Sequence, residues 1–249
     1  VQMSADVMQS QMQYDMMNAF KDMMPIEVKE PTPIEEVASY KPEKSWNYEV
    51  GAHLSTPSHK VQADLALFYI DCRDQQLTVF PEGQVTGRLM TNAGRTRSFG
   101  GEASLLATLW RNLDLQVAYG YTRATFVKFD TGKADYAGNF IPYAPQHTLY
   151  AGASYTLRTG WNWLEYVIFR VAANGAGRIY WNEANTFSQP FYALLEASIR
   201  FEHRHWAVDV WGRNLTDTRY DTFYFMSIGN SFLQRGRPRT FGVSLSITL

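Results

Sequence analysis

The side chains best suited to chemistry in this 249-residue chain are few and scattered. Of the five histidines, His53, His59, His147, His203 and His205, only the last two lie close together in sequence. On a strand, residues i and i+2 face the same way, so His203 and His205 could chelate a metal. With Arg204 between them in a short connection, a solvated turn is the better reading. Met8, Met12 and Met16 fall one helical turn apart, and seven of the nine methionines precede residue 25. Thioethers can ligate a soft metal. With no Cys or His beside them, an adaptable apolar helix face accounts for them better. The single cysteine, Cys72, has no disulfide partner and no metal-site spacing, and reads as a small packed residue. Asp217, Asp221 and Glu183 are acids in loops, where hydrogen bonding at strand ends explains them. With His147 they are also what a barrel hydrolase would need. No Gly-x-Ser-x-Gly elbow, phosphate loop or His-Glu-x-x-His is present. The sequence therefore assigns no catalytic residue, no cofactor and no metal site, and the protein is expected not to be an enzyme.

Binding residues stand out more than reactive ones. Tyr180, Trp181, Tyr220, Phe223, Tyr224 and Phe225 would give one set of connections an aromatic mouth. Arg235, Arg237 and Arg239 add positive charge there, which favours an anionic ligand. The same residue types also anchor a barrel at the membrane interface, and both readings stand at this point. Aromatic residues make up 15% of the chain, a content met both in membrane barrels and in sugar-binding β-proteins. The formal net charge of -1 gives no basic excess, so no nucleic-acid partner is expected.

The elements that would position these residues change character near residue 44. Residues 1–44 are rich in Met, Gln, Glu and Pro. Ser4 is a fair N-cap and Pro25 a fair stop, which predicts a short helix over 4–24, followed by an extended linker through Pro31 and Pro33. From Ser45 the hydrophobic period becomes two. Tyr48, Val50, Ala52 and Leu54 alternate with Glu49, Gly51, His53 and Ser55. Phe241, Val243, Leu245 and Ile247 alternate with Gly242, Ser244, Ser246 and Thr248. The pattern predicts about nine long antiparallel strands near 46–56, 59–73, 95–110, 113–128, 146–158, 163–177, 190–203, 205–218 and 236–249. Their connections alternate strictly. Short ones fall at 56–58, 110–114, 158–163 and 201–206; long ones fall at 74–94, 128–146, 177–190 and 218–235. Transmembrane barrels have short periplasmic turns and long extracellular loops. No run of about 18 apolar residues exists, so a spanning helix is excluded, but spanning strands escape such a test.

With a periplasmic carboxy terminus, the first strand also runs inward, and residues 1–44 are expected outside the cell. An odd number of strands does not close an ordinary bacterial barrel, and open edges in lipid are costly. The remaining barrel strands are therefore an expected partner. Val1 is not preceded by a signal peptide, which suggests either processing or an amino terminus inside a longer product.

Several stretches now fall at sensible places. Pro42-Glu43 with Asn47-Tyr-Glu-Val-Gly51 leads into a strand. Asn92-Ala-Gly94 precedes Gly101-Glu102. Tyr119-Gly-Tyr-Thr122 is followed by Ala124 and Phe126. Pro142-Tyr-Ala-Pro145 precedes His147-Thr148. Asn214-Leu-Thr-Asp217 precedes Tyr220, and Gly236-Arg-Pro-Arg239 precedes Phe241-Gly242. Together, in this order over residues 40–249, they resemble the carboxy-terminal barrel half of TonB-dependent outer-membrane receptors of the siderophore branch. Thr240-x-Gly242-x-x-Leu245-x-Ile247 resembles the signal read by the barrel-assembly machinery, although the chain ends in Leu249 where that family usually ends in an aromatic residue. The resemblance implies an all-β antiparallel transmembrane barrel segment, part of a barrel of roughly 22 strands, with 1–44 as an extracellular loop segment and 45–249 as barrel strands. It implies the bacterial outer membrane and its lipid, uptake of an iron–siderophore complex, and ligand contacts at Tyr180, Trp181, Tyr220, Phe223, Tyr224, Arg235 and Arg237. The family's plug, its energy-coupling box and the earlier strands are not in this sequence. The chain is accordingly expected to be a fragment, a processed half or one member of a split receptor, reaching the TonB complex only through a plug carried elsewhere. A passive porin-like wall and a barrel hydrolase are the alternatives carried forward.

Overall fold

The computed structural model describes residues 41–58, 60–79, 89–110, 112–131, 134–227 and 230–248. The expected helix over 4–24 and the Pro-rich linker lie outside these residues. The described part is all β, with strands β1 (Lys44–Ser55), β2 (Val61–Val79), β3 (Leu89–Leu109), β4 (Leu113–Lys128), β5 (His147–Trp161), β6 (Leu164–Gly177), β7 (Ile179–Tyr180), β8 (Ser188–Gln189), β9 (Tyr192–His203), β10 (Trp206–Arg213), β11 (Asp221–Ser227), β12 (Asn230–Arg235) and β13 (Thr240–Ile247). Nine of them form one antiparallel sheet in the order β1-β2-β3-β4-β5-β6-β9-β10-β13. The pairs β7-β8 and β11-β12 are small hairpins inside the third and fourth long connections.

Register carries the alternating pattern across the whole sheet, because directly paired residues share a face. Val50 pairs with Leu67, Leu105 with Val117, Tyr155 with Phe169, Phe169 with Ile199, Ile199 with Val210, and Val210 with Val243. One face is thereby apolar from edge to edge. It is also bare: Val50 is 67%, Leu67 63% and Val243 68% exposed. A water-soluble sheet covers such a face with a second layer; an apolar face of this extent marks contact with lipid or another apolar partner. No helix among the described residues is long and apolar enough to cross a membrane.

The opposite face is concave and polar. Asp114, Gln116, Ser154, Arg170, Glu196 and Asp209 line one hollow on it, and Glu49, His53, Asp64, Glu102 and Ser104 line a second. Small side chains let the larger ones lie flat here. Gly242 faces Trp211 in the register, and a Cβ on it would stand 2.2 Å from the indole Cζ2. The indole Nε1 donates to Ser244 Oγ at 3.1 Å.

The strands run close to where the alternation places them, with two differences. The strands expected over 205–218 and 236–249 are shorter, β10 ending at Arg213 and β13 beginning at Thr240, because Asn214 and Asp217 turn the chain there. The ladder between β2 and β3 continues past the expected ends at residues 73 and 95, through Gln75↔Ala93 to Val79↔Leu89. The apolar alternation is interrupted beyond Tyr69 and Phe99, where Asp71, Arg73, Gln75, Arg95 and Arg97 take its places, but the backbone ladder does not depend on it. The sequence pattern thus lost the strand where the apolar face ended.

Candidate functional site

At the end of the sheet opposite the tight turns, three long connections fold onto one another. The β4–β5 and β6–β9 connections are joined through backbone and amide groups. Phe140 N–H donates to Asn185 Oδ1 at 2.7 Å, and Asn185 Nδ2 donates to the Phe140 carbonyl at 2.9 Å. Asn139 Nδ2 donates to the Glu183 carbonyl, Tyr143 N–H to the Tyr180 carbonyl, and Gln146 N–H to the Arg178 carbonyl. The β10–β13 connection joins through Tyr143, whose hydroxyl donates to the Tyr224 carbonyl at 2.9 Å, and through Gln189, whose Oε1 accepts from Asp221 N–H.

Aromatic rings fill the seams. Phe140 stacks on Tyr180 at 5.2 Å, Tyr143 on Phe223 at 5.6 Å, Phe187 on Tyr224 at 4.6 Å and Tyr192 on Tyr220 at 4.5 Å. Below them, Phe126 and Phe129 form the most buried apolar cluster of the described residues, with Tyr136 and Ile141 against it. Each ring pair stabilises by about 0.5–1.5 kcal/mol beyond its burial, so the loops gain a core of their own.

The base of the β10–β13 connection is closed by a polar clamp. Asn214 is buried and left-handed at φ 49°; its Nδ2 donates to the Thr218 and Arg237 carbonyls and its Oδ1 accepts from Thr218 N–H. Asp217 Oδ1 accepts from Arg239 N–H at 3.0 Å. The Asn-Leu-Thr-Asp and Gly-Arg-Pro-Arg stretches thus form one turn and its partner. Gly236 is required there, since a Cβ on it would stand 2.0 Å from Tyr220 Cζ.

The expected contact residues divide in two. Trp181, Phe223 and Tyr224 meet around Tyr143 and Phe187, with Trp181 7% and Tyr224 5% exposed. Tyr180 and Tyr220 are half-buried on Phe140 and Tyr192. Arg235, Arg237 and Arg239 stay exposed at the foot of the β11-β12 hairpin and beyond it. Phe225 stacks on Phe232 across that hairpin. Tyr143, Phe140, Phe187 and Asn185 were missed in the sequence. The only signal for them was Pro142-Tyr-Ala-Pro145, and it gave no hint that Tyr143 reaches Tyr224.

The residues weighed for chemistry take other roles. Arg204 Nε donates to His205 Nε2, and His205 N–H faces His203 Nδ1 at 3.4 Å, so both imidazoles are engaged within the β9–β10 turn. His147 Nδ1 lies 2.7 Å from the Tyr119 hydroxyl. No group of three or more metal-ligating side chains occurs among the described residues. The inner face holds charge networks that alternation alone did not reveal. Arg200 bridges Glu202 and Asp209 at 2.7 and 2.6 Å, and Asp64 accepts from Ser104 while meeting His53 Nδ1.

An antiparallel wall with a bare apolar face, a concave polar face, tight turns at one end and interlocked loops at the other is a sector of a transmembrane β-barrel. The chain belongs to the TonB-dependent receptor-like β-barrel family, whose model matches residues 14–215. It is 28% identical over 211 residues to the pesticin receptor of Yersinia pestis, covering 82% of this chain and 29% of that protein. The ferric yersiniabactin uptake receptor of Yersinia pestis superimposes with a TM-score of 0.69 at 25% identity, over 82% of this chain and 30% of the other. The ferric preacinetobactin receptor of Acinetobacter baumannii superimposes at 0.60 with 20% identity, over 82% of this chain and 29% of the other; that likeness concerns the fold alone. The chain therefore spans under a third of the length of the relatives it matches, and it is outer-membrane barrel wall.

Proposed function

We propose that this chain forms part of the wall and outer loops of a receptor that takes up an anionic iron chelate. The observation that carries the reading is the interlocked loop cluster above the polar concave face, with Arg235 and Arg237 left exposed beside it. A rigid aromatic frame that holds cations at its edge suits a bulky, negatively charged complex. The likeness to the receptor for ferric yersiniabactin favours a siderophore as that complex. In this reading Tyr180, Trp181, Tyr220, Phe223 and Tyr224 shape the mouth while Arg235 and Arg237 meet the ligand. A plug and the remaining strands come from elsewhere in the receptor, and the plug couples to the TonB complex. In the same reading residues 1–44 form an extracellular loop segment, which the bonds between the Lys41 backbone and Asn92 on the long β2–β3 hairpin support. The chain carries out no bond chemistry.

The test is uptake of radiolabelled iron from ferric yersiniabactin by cells carrying the complete receptor. Arg235→Gln with Arg237→Gln should weaken binding about tenfold or more at unchanged surface level. Equal binding would remove these residues from the site. Diffusion of the chelate without an energised inner membrane would favour a passive porin-like wall.

A further inference from the structure

Gln189 stands at the boundary between the loop frame and the hairpin that carries Arg235. It ends β8, pairs with Ile179 of β7, and is 7% exposed. The β7-β8 ladder is itself tied to the β4–β5 connection: Tyr143 N–H donates to the Tyr180 carbonyl and Gln146 N–H to the Arg178 carbonyl. Gln189 therefore belongs to the fixed side of the loop cluster. Its amide reaches both ways. Nε2 donates to the Pro190 carbonyl at 2.9 Å, and Oε1 accepts from Asp221 N–H at 2.8 Å. These partners fix which end of the amide is which, because a backbone N–H only donates and a carbonyl only accepts. A buried amide is costly unless it is hydrogen-bonded, so the side chain is held to this one arrangement.

Asp221 is the point at which that bond bears on charge. It is the first residue of β11 and pairs with Arg235, the last of β12. Just below, Gly236 N–H donates to the Tyr220 carbonyl at 2.9 Å, and Tyr220 stacks on Tyr192 at the start of β9. Further along β11, the Tyr143 hydroxyl holds the Tyr224 carbonyl. Of these three attachments, the Gln189 bond is the one at the level of Arg235. The guanidinium is exposed, so its place at the mouth is set by the backbone that carries it. Attraction between charges falls with their separation. A shift of the hairpin base therefore changes what Arg235 contributes to an anionic ligand.

The geometry points to Gln189 as a positioning residue for Arg235: it touches no ligand itself, and it fixes the base of the hairpin so that the charge stands at the edge of the aromatic frame. The inference rests on the uptake reading, in which Arg235 meets the chelate. It separates two kinds of residue in the loop cluster. Arg235 acts on the ligand directly, whereas Gln189 acts only through Arg235.

Equilibrium binding of ferric yersiniabactin to the complete receptor in outer membranes tests this through a double-mutant cycle. Gln189→Met keeps the length of the side chain and loses both bonds. It should weaken binding about threefold, and Arg235→Gln should do the same. The two together should also weaken it about threefold, where independent effects would multiply to about ninefold. The loss from Gln189→Met should shrink as salt is raised, because it acts through a screened charge. Hydrogen exchange at the Asp221 amide should accelerate while β9 and β10 keep their rates, which verifies that the wall is folded. If Gln189→Met lowers the folded fraction, Gln189→Asn, polar and one methylene shorter, carries the same cycle. A combined loss of about ninefold overturns the proposal, since Gln189 would then act apart from Arg235. Unchanged binding in Gln189→Met overturns it as well. An Arg235→Gln receptor that binds as the unmodified one does overturns the contact assigned to Arg235 by the uptake reading, and the inference with it.

Discussion

The Asn92 side-chain amide closes on the backbone of Lys41 from both sides: Lys41 N–H donates to Oδ1 at 2.7 Å, and Nδ2 donates to the Lys41 carbonyl at 3.0 Å. The same Nδ2 reaches the Asp74 carbonyl, and Gln76 N–H donates to Glu43 Oε2. One amide thus ties the segment before β1 to the extended part of the β2–β3 hairpin, as a strand would. Replacing Asn92 with Ala should remove about 1–3 kcal/mol of local stability. Limited proteolysis should then cut near Lys41 at least several-fold faster while the β4–β13 loops keep their cleavage rate. Uniform resistance would mean that the segment is held by other contacts.

Tyr143 is the link between the β4–β5 and β10–β13 connections. Tyr143→Phe keeps the stack on Phe223 but loses the bond to the Tyr224 carbonyl, at a cost of about 1 kcal/mol. Hydrogen exchange at 221–227 and 230–235 should accelerate about fivefold, with exchange in β9 and β10 unchanged. A global change in exchange would show that the loops and the wall unfold together.

Asn214 satisfies three backbone groups from a buried position, so Asn214→Ala strands them away from water. A loss of about 2–3 kcal/mol is expected. It should appear as a lower temperature for the heat-dependent gel shift of the barrel. A variant melting with the unmodified receptor would place the clamp outside the cooperative unit.

The two faces of the wall predict opposite tolerance. Val210→Arg puts a guanidinium among Ile199 and Val243 on the lipid side, costing about 2–4 kcal/mol if it sits near the bilayer midplane. Gln116→Lys puts a cation beside Asp114 on the concave side and should assemble normally. The fraction of each variant that resists urea extraction from outer membranes measures the difference. Equal fractions would reverse the assignment of faces.

Ligand binding should also fall as salt is raised, because exposed charges at Arg235 and Arg237 are screened over about 8–10 Å in ordinary buffer. A chelate titrated from low to high salt should lose affinity in the unmodified receptor and much less in the doubly substituted one. Parallel slopes would point to other charges.

The wall was legible because its signal is local: alternation along Tyr48 to Leu54, or along Phe241 to Ile247, needs only the residue two places away. The strict rhythm of short and long connections was local in the same sense, and it placed the sheet strands, apart from the continued β2–β3 ladder and the shorter β10 and β13. What stayed hidden depends on partners distant in sequence. Tyr143 and Tyr224 are 81 residues apart, and nothing in either neighbourhood names the other. The same holds for Asn185 with Phe140, 45 residues apart. The aromatic mouth was found as a composition, but which of its rings pack inward, as Trp181 and Tyr224 do, is decided by neighbours from other loops.

Among the described residues the sheet has nine strands, so β1 and β13, the edges of that sheet, run in the same direction. A ring of identical copies related by rotation about the membrane normal would bring β13 of one against β1 of the next as parallel neighbours. A two-fold axis that joined like edges antiparallel would turn one copy upside down in the bilayer. An all-antiparallel wall therefore cannot continue by setting β13 of one such sheet beside β1 of another in the same orientation. Whatever strands lie next to β1 and β13 must run opposite to both.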